Sequence, residues 1–469
     1  MQVQLDQGFA RLEHVVFCDG VLYAQTDHAM IHAIDAETGR TLWSRQVGRA
    51  DRPTMRPGAY GDRLAVINGL RLYVLNRFTG DVLYETQLKD TPGAGPALSS
   101  HHVYVPMVSG MMVAYPLESI IDAATVEARA KTLKGADEKA RAELDKVSNG
   151  TPINQHTPPT FCRSWGRAMV QPLVTRDNAG GEYTVWPTDR GVLNLARIDR
   201  DTQTPALTLK YRLETGSKIF ARPGYQPPDP KVPNDSGTVF VAARDGLVYA
   251  VAEESGETIW RFTAGELIEQ APAVVDERVY VTTQYGGMYC LGSKQGENLW
   301  WTPRATRFIA ASKDRVYAAD RLGRILVINA ADGSPLDTIA GDGISPALAN
   351  TDTDRIYLVS DGGLIQCLHE AELAQPLFHG QVRKEAAKAE PAVKPAKKKK
   401  ESVAPAERPA PKAATPAPKR DKPKRTTAPA RRGRATGQPK QGPGAGPGMG
   451  PGVNPGVNPG GPVTPKAAG

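Results

Sequence analysis

The sequence lacks several of the patterns that would assign it to a common functional class. No run of 18 apolar residues occurs, which argues against a membrane-spanning helix. The first 20 residues lack the basic start and the apolar run of a secretory signal, so export is not predicted from the sequence as written. Cysteine is scarce, and the four residues form no CxxC pair that would indicate a zinc or redox site: Cys18, Cys162, Cys290 and Cys367.

Aromatic residues are absent after Phe378, and the composition changes at the same point. Residues 381–469 hold 17 of the 39 prolines and 20 Lys+Arg against 5 Asp+Glu. A segment of this kind cannot bury a core, so we predict a disordered basic tail. The remaining 38 Lys+Arg and 45 Asp+Glu lie in residues 1–380, which makes the body mildly acidic. Any polyanion binding is therefore expected from the tail, with Lys397, Lys398, Lys399 and Lys400 as its densest cluster.

The body contains a pattern that recurs about every 40 residues. Glycines 39 and 80 are 41 residues apart, glycines 256, 296 and 333 are 40 and 37 apart, and 80 to 256 equals four periods of 44. Each period has room for four short strands joined by tight glycine-bearing turns, which is typical of a propeller blade. We therefore predict an all-β propeller over residues 1–380 with about eight four-stranded blades, or seven as the alternative. Prolines that open most periods fit the innermost strand: Pro57, Pro96, Pro172, Pro223, Pro272 and Pro346.

The repeat resembles the PQQ-like repeat through Gly39-Arg40-Thr41-Leu42-Trp43, Gly256-Glu257-Thr258-Ile259-Trp260 and Gly296-Glu297-Asn298-Leu299-Trp300. The resemblance covers about residues 10–380 and implies the propeller fold. PQQ-like repeats build the quinoprotein alcohol dehydrogenases and also the non-enzymatic BamB lipoproteins of the outer-membrane assembly machinery. The resemblance implies a protein that works outside the cytoplasm, whereas the amino terminus predicts no export. The two alternatives for the compartment are therefore the cytoplasm and the space outside it.

Catalytic and metal-binding patterns are missing from the sequence. The quinoprotein enzymes clamp their cofactor with a disulfide between adjacent cysteines, and no adjacent pair exists here. No GxSxG, HExxH or GxxxxGK motif occurs, and no carboxylate or cysteine motif accompanies the histidine pairs His28/His32 and His101/His102. We predict no catalytic residue, no cofactor and no metal. Arg244, Tyr285 and Arg321 fall near hairpin tips, and propellers bind partners through such loops, so we interpret these three as a possible recognition face.

These observations favour a non-catalytic scaffold that binds an unknown protein partner, as BamB-like proteins do, with the tail as a tether. The alternatives are a quinoprotein-like dehydrogenase and nonspecific binding of nucleic acid or anionic membrane through the tail. We expect a monomer. Residues 117–150 break the β pattern and predict a helical insertion, either a solvated hairpin or a partner-binding arm.

Overall fold

A computed structural model describes residues 1–5, 11–117, 158–176, 181–199, 206–229, 231–232, 235–285, 287–341, 344–346, 348–360 and 362–380. These residues form 32 strands in eight antiparallel sheets of four strands each, and they include no helix. The prediction of eight four-stranded blades is confirmed, and the alternative of seven is wrong. The predicted helical insertion and the predicted tail lie outside the described residues, apart from Leu117.

The chain opens with a short strand, β1 (Gln2–Gln4). Blades 1 and 2 then follow as β2 (Leu12–Cys18), β3 (Val21–Thr26), β4 (Met30–Asp35), β5 (Thr41–Gln46), β6 (Gly58–Tyr60), β7 (Arg63–Asn68), β8 (Arg71–Asn76) and β9 (Val82–Gln87). Blades 3 and 4 contain β10 (Ala97–Leu98), β11 (His102–Pro106), β12 (Met111–Pro116), β13 (Thr160–Arg163), β14 (Leu173–Arg176), β15 (Glu182–Pro187), β16 (Val192–Asp199) and β17 (Ala206–Glu214).

Blades 5 and 6 contain β18 (Gly224–Gln226), β19 (Thr238–Ala242), β20 (Leu247–Ala252), β21 (Thr258–Thr263), β22 (Ala273–Val275), β23 (Arg278–Thr283), β24 (Gly287–Gly292) and β25 (Asn298–Thr302). Blade 7 contains β26 (Arg307–Ala311), β27 (Arg315–Ala319), β28 (Ile325–Asn329) and β29 (Pro335–Ile339). The last three strands are β30 (Ile344–Pro346), β31 (Ile356–Ser360) and β32 (Leu364–Leu368). In each of blades 1 to 7 the four strands pair in chain order.

Blade 8 is completed by the first strand of the chain. Its strand order is β1-β32-β31-β30, so β1 takes the outermost position. Val3 lies opposite Ile365, and Leu5 N donates to the Gly363 carbonyl at 3.1 Å. This pairing joins the two ends of the propeller and closes the ring, which removes the open gap between first and last blades. The repeat pattern does not reveal β1, because a three-residue strand carries no recognisable period.

The core lies between neighbouring blades. The second strand of blade 1, β3, is buried at all six positions, whereas its outermost strand, β5, is mostly exposed. One apolar cluster contains Tyr23 and Ile31 of blade 1 together with Leu64 and Val66 of blade 2. A single sheet cannot cover both of its own faces, so each blade needs the next one to exclude water.

The repeated tryptophan fastens one blade to the next. Trp43 of β5 donates its indole N–H to the Arg77 carbonyl at 2.8 Å, and its ring lies against Gly80 of the following blade. A Cβ on Gly80 would lie 2.7 Å from the ring, so a larger residue does not fit without a shift. The same arrangement recurs for Trp260 with Ser293 and Gly296, and for Trp300 with Ala330 and Gly333. The glycine and the tryptophan of the repeat motif therefore encode a contact between neighbouring blades.

The prolines predicted on the innermost strands lie close to that position. Pro57, Pro96, Pro172, Pro223 and Pro272 immediately precede the innermost strands of blades 2 to 6, and Pro346 ends β30. Just outside the strand, proline fixes the backbone without removing a ladder hydrogen bond.

Candidate recognition face

The propeller has two ends that differ in their loops. Because adjacent strands run antiparallel, the turns between second and third strands lie at the same end as the connections between blades. We call this the hairpin end. The turns between first and second strands and between third and fourth strands lie at the opposite end.

The structure brings two of the three predicted recognition residues together. Tyr285 lies between β23 and β24 and Arg321 between β27 and β28, at neighbouring tips of blades 6 and 7. The Arg321 guanidinium carbon lies 4.6 Å from the centre of the Tyr285 ring, which is a cation–π contact. Tyr285 is 58% exposed, and its backbone N–H donates to a Glu266 carboxylate oxygen at 3.2 Å. The pair thus presents an aromatic ring and a cation side by side to solvent.

Arg244 lies at the hairpin end but makes a separate contact. It follows β19 in blade 5, and its guanidinium carbon lies 5.5 Å from the centre of the Phe220 ring. Arg244 also forms an ion pair with Glu269 at 3.6 Å. Phe220 itself is 42% exposed, so a second arginine–aromatic pair stands beside the first on this end of the propeller.

Sequence reasoning missed the most exposed apolar residue of this region, Leu322. It is 75% exposed at the tip of the hairpin that also carries Arg321. Its sequence signal is weak, because a single leucine in the turn Asp320-Arg321-Leu322-Gly323-Arg324 is ordinary until its exposure is known. Other exposed apolar residues at the hairpin end share its character and lie in connections or tips: Leu70, Trp165, Met169 and Leu267.

The tip that carries Leu322 is held rigidly by Asp320. The Asp320 carboxylate accepts hydrogen bonds from the backbone N–H groups of Leu322 at 2.8 Å and Arg324 at 2.9 Å, and from Arg324 Nε at 2.7 Å. Burial opposes ionisation of Asp320, but these hydrogen bonds outweigh it, so the pKa of the carboxyl is lowered. The charged form therefore persists at neutral pH and fixes the hairpin.

A cavity of about 490 Å³ lies beside the Tyr285–Arg321 pair. Polar side chains dominate its lining, among them Glu269, Gln284, Arg307, Arg321 and Ser345. A concave site next to exposed apolar tips suits a partner side chain that carries a polar or charged end.

The two ends of the propeller differ strongly in charge. Among the described residues, the connections at the hairpin end contain 13 basic and 8 acidic residues. Those at the opposite end contain 6 basic and 18 acidic residues. The mild acidity of the body thus belongs to one end, and the hairpin end is slightly basic.

Among the described residues, no group of three or more His, Cys, Asp or Glu side chains is arranged to hold a metal ion. All four cysteines are free, and burial raises the pKa of the Cys290 thiol to about 12. Cys290 and Cys367 are buried in the third strands of blades 6 and 8, where they act as apolar filler. The cluster Lys397 to Lys400 lies outside the described residues.

The comparisons with known proteins agree with this architecture. The family model described as outer membrane protein assembly factor BamB matches residues 10–128 and 196–340, more than half of the chain. No curated protein matches the sequence. No helix in the described ranges has the length and apolarity needed to cross a membrane.

Solved structures share the fold at low identity. BamB from Moraxella catarrhalis superposes with a TM-score of 0.54 at 13% identity, covering 78% of this chain and 98% of that one. Sqt1 from Saccharomyces cerevisiae gives 0.54 at 9% identity, covering 78% and 97%. The C-terminal WD40 domain of Sif2 gives 0.51 at 12%, again covering 78% and 97%. At these identities the likeness concerns the fold alone.

Proposed function

Because this chain belongs to the PQQ-like repeat family described as outer membrane protein assembly factor BamB, we propose that it is a non-catalytic scaffold that binds a protein partner through its hairpin end. The observation that carries the proposal is the cluster of Tyr285, Arg321 and Leu322 on two neighbouring blades. Tyrosine and arginine are enriched among the residues that dominate binding energy at protein interfaces. Leu322 is 75% exposed, so a partner that covers it removes apolar surface from water, which is favourable.

The geometry of the cluster supports binding by a preformed surface. Asp320 fixes the tip that carries Leu322, and Glu266 holds the backbone of Tyr285, so little ordering is required when a partner docks. The hairpin end is also the less acidic end. We infer a partner segment that packs an apolar side chain between Tyr285 and Leu322 and offers a carboxylate to Arg321.

Affinity purification of the full chain from its native cells tests this proposal. Leu322→Asp and Tyr285→Ala should each reduce the recovered partner by at least about tenfold, because each removes an apolar contact from the centre of the surface. The matched control is Phe78→Asp, since Phe78 is 55% exposed at the opposite end of the propeller. This control should recover the partner as the unmodified chain does.

Two results would contradict the proposal. One is loss of the partner in the Phe78→Asp protein together with full recovery by Leu322→Asp. The other is recovery of no partner at all while the purified protein oxidises alcohols after addition of pyrroloquinoline quinone and calcium, which would favour the dehydrogenase alternative.

We further propose that residues 381–469 tether the scaffold to an anionic surface, a proposal that rests on the charge of the segment alone. Its excess of 15 basic residues can attract acidic lipid headgroups at about 1 kcal/mol per residue near the membrane. Replacing Lys397 to Lys400 by glutamate in the full chain should weaken cosedimentation with vesicles rich in phosphatidylserine, and salt should weaken binding of the unmodified chain. Equal binding by both proteins at low salt would refute the tether.

A further inference from the structure

Three arginines stand where the innermost strands begin at the hairpin end. Arg56 lies two residues before β6 of blade 2, Arg222 two residues before β18 of blade 5, and Arg307 is the first residue of β26 in blade 7. The innermost strands of a propeller surround its central channel. All three arginines therefore arise at the same end of that channel.

The three guanidinium groups interact although their blades are not neighbours. The charge of Arg307 acts on Arg56, and the charge of Arg56 acts on Arg222. Blade 2 is three steps around the ring of eight from blade 5, and three steps from blade 7 in the other direction. Because blades 2, 5 and 7 lie on different sides of the ring, groups at the start of their innermost strands face one another across the channel.

None of the three guanidinium groups has a hydrogen bond or an ion pair within the described part of the chain. The Nε atom of Arg222 is buried and has no partner there. A buried polar donor without an acceptor destabilises the folded state, and more strongly when the group is charged. Arg355, which is fully buried, shows the usual arrangement, because it pairs with Glu37 and Asp354.

The electrostatics of the channel agree with an uncompensated positive charge. Burial lowers the pKa of Arg222 to about 10, the charge of Arg56 lowers it further, and Asp352 opposes the shift. Burial also lowers the pKa of Arg56 and of Arg307, and no carboxylate of the described residues offsets either shift. All three groups nevertheless remain charged at neutral pH, so among the described residues three like charges face one carboxylate, Asp352, that acts on Arg222.

We propose that the central channel is an anion-binding site in which Arg56, Arg222 and Arg307 together hold a small oxyanion carrying several negative charges, such as a phosphate compound or a polycarboxylate. Arginine presents a planar fork of N–H donors that matches phosphate and carboxylate oxygens. Arg307 also lines the cavity of about 490 Å³ beside Tyr285, which gives a ligand access from the hairpin end. The anion would enter at the end where the proposed partner binds, but the site uses none of Tyr285, Arg321 and Leu322.

Calorimetric titration of the full chain with inorganic pyrophosphate, and separately with citrate, tests the inference. In 0.15 M salt, which screens exposed charges beyond about 8 Å, the unmodified chain should bind one equivalent of at least one of the two anions. Arg222→Gln and Arg307→Gln should each weaken that binding by about tenfold or more, because each removes one charged donor pair. Arg190→Gln is the matched control, since Arg190 is exposed at a hairpin tip away from the channel and should leave binding unchanged.

All four proteins keep residues 381–469, so anion binding by that segment contributes equally to each titration. Thermal unfolding without anion gives a second measurement: Arg222→Gln should unfold at the same temperature as the unmodified chain or higher, because an unpaired buried charge has been removed. Equal anion affinity in all four proteins would overturn the inference. So would a clear loss of thermal stability in Arg222→Gln without any added anion, which would indicate that Arg222 has a structural role.

Discussion

At the scale of single residues, the most informative feature is the contact between the repeated tryptophan and the glycine of the next blade. The sequence places the tryptophan in the fourth strands of blades 1, 5 and 6 and the glycine in the turn before the fourth strand of the blade that follows each of them. Turn chemistry explains the glycine, which has φ +76° at Gly80. What a single repeat cannot show is that Trp43 reaches across to Gly80 in the following blade. The glycine is therefore needed twice, once for its backbone conformation and once for its lack of a side chain.

Replacing Gly80 by alanine should separate these two needs when compared with Gly265. Both glycines have φ +76°, but a Cβ at position 265 would meet nothing within 4 Å among the described residues, whereas at position 80 it meets Trp43 at 2.7 Å. Gly265→Ala should lower the free energy of unfolding by about 1 kcal/mol, the cost of the left-handed backbone. Gly80→Ala should lower it by a further ~2 kcal/mol from overpacking.

Chemical denaturation monitored by tryptophan fluorescence measures both values. Equal losses for the two variants would show that the ring of Trp43 does not press on Gly80.

The predicted recognition residues show the limit of residue-level reasoning. Arg244, Tyr285 and Arg321 could be assigned to hairpin tips because turns are readable from glycine positions. That Arg321 stacks on Tyr285 while Arg244 stacks on Phe220 depends on which tips the ring makes neighbours. Leu322 was missed because its hydrophobicity is unremarkable in a sequence and informative only once its exposure is known.

At the scale of strands, blades 1 to 7 follow the sequence closely and blade 8 does not. The four-strand unit repeats with buried middle strands and a more exposed outer strand, as in blades 1 and 2. A bulge recurs where the third and fourth strands pair in blades 1, 2, 4, 5, 6 and 7. Such bulges increase local twist and were not visible in the repeat. The closure by β1 was also missed, because its pairing with β32 spans more than 350 residues and depends on ring size.

The closing strand should contribute to stability through Val3. Val3 is partly buried against the core cluster that contains Ile365 and Tyr357, whereas Gln2 on the same strand is exposed. Val3→Asp should lower the free energy of unfolding by about 1–3 kcal/mol, since it places a charge against an apolar cluster. Gln2→Asp is the control and should change stability by less than about 0.5 kcal/mol.

Thermal unfolding of the two variants gives the comparison. A Val3→Asp protein as stable as the Gln2→Asp protein would mean that β1 does not close the ring in solution.

At the scale of the whole molecule, the fold could be predicted from the sequence because all eight blades share one requirement, the covering of apolar sheet faces. Each sheet exposes two apolar faces, and only a closed ring covers them all. The distribution of charge over the two ends could not be predicted from the sequence in the same way. The body as a whole is acidic, but among the described residues the acidic side chains concentrate at the end opposite the hairpins. The arginines of blades 2, 5 and 7 are placed around one end of the channel only once the ring closes.

Position-specific photocrosslinking in the native cells tests the central claim most directly. A benzophenone amino acid would replace Leu322 at the hairpin end or Phe78 at the opposite end, both of them exposed apolar positions. The scaffold account predicts a discrete crosslinked protein at position 322 and none at position 78. A crosslink at position 78 with none at position 322 would contradict it.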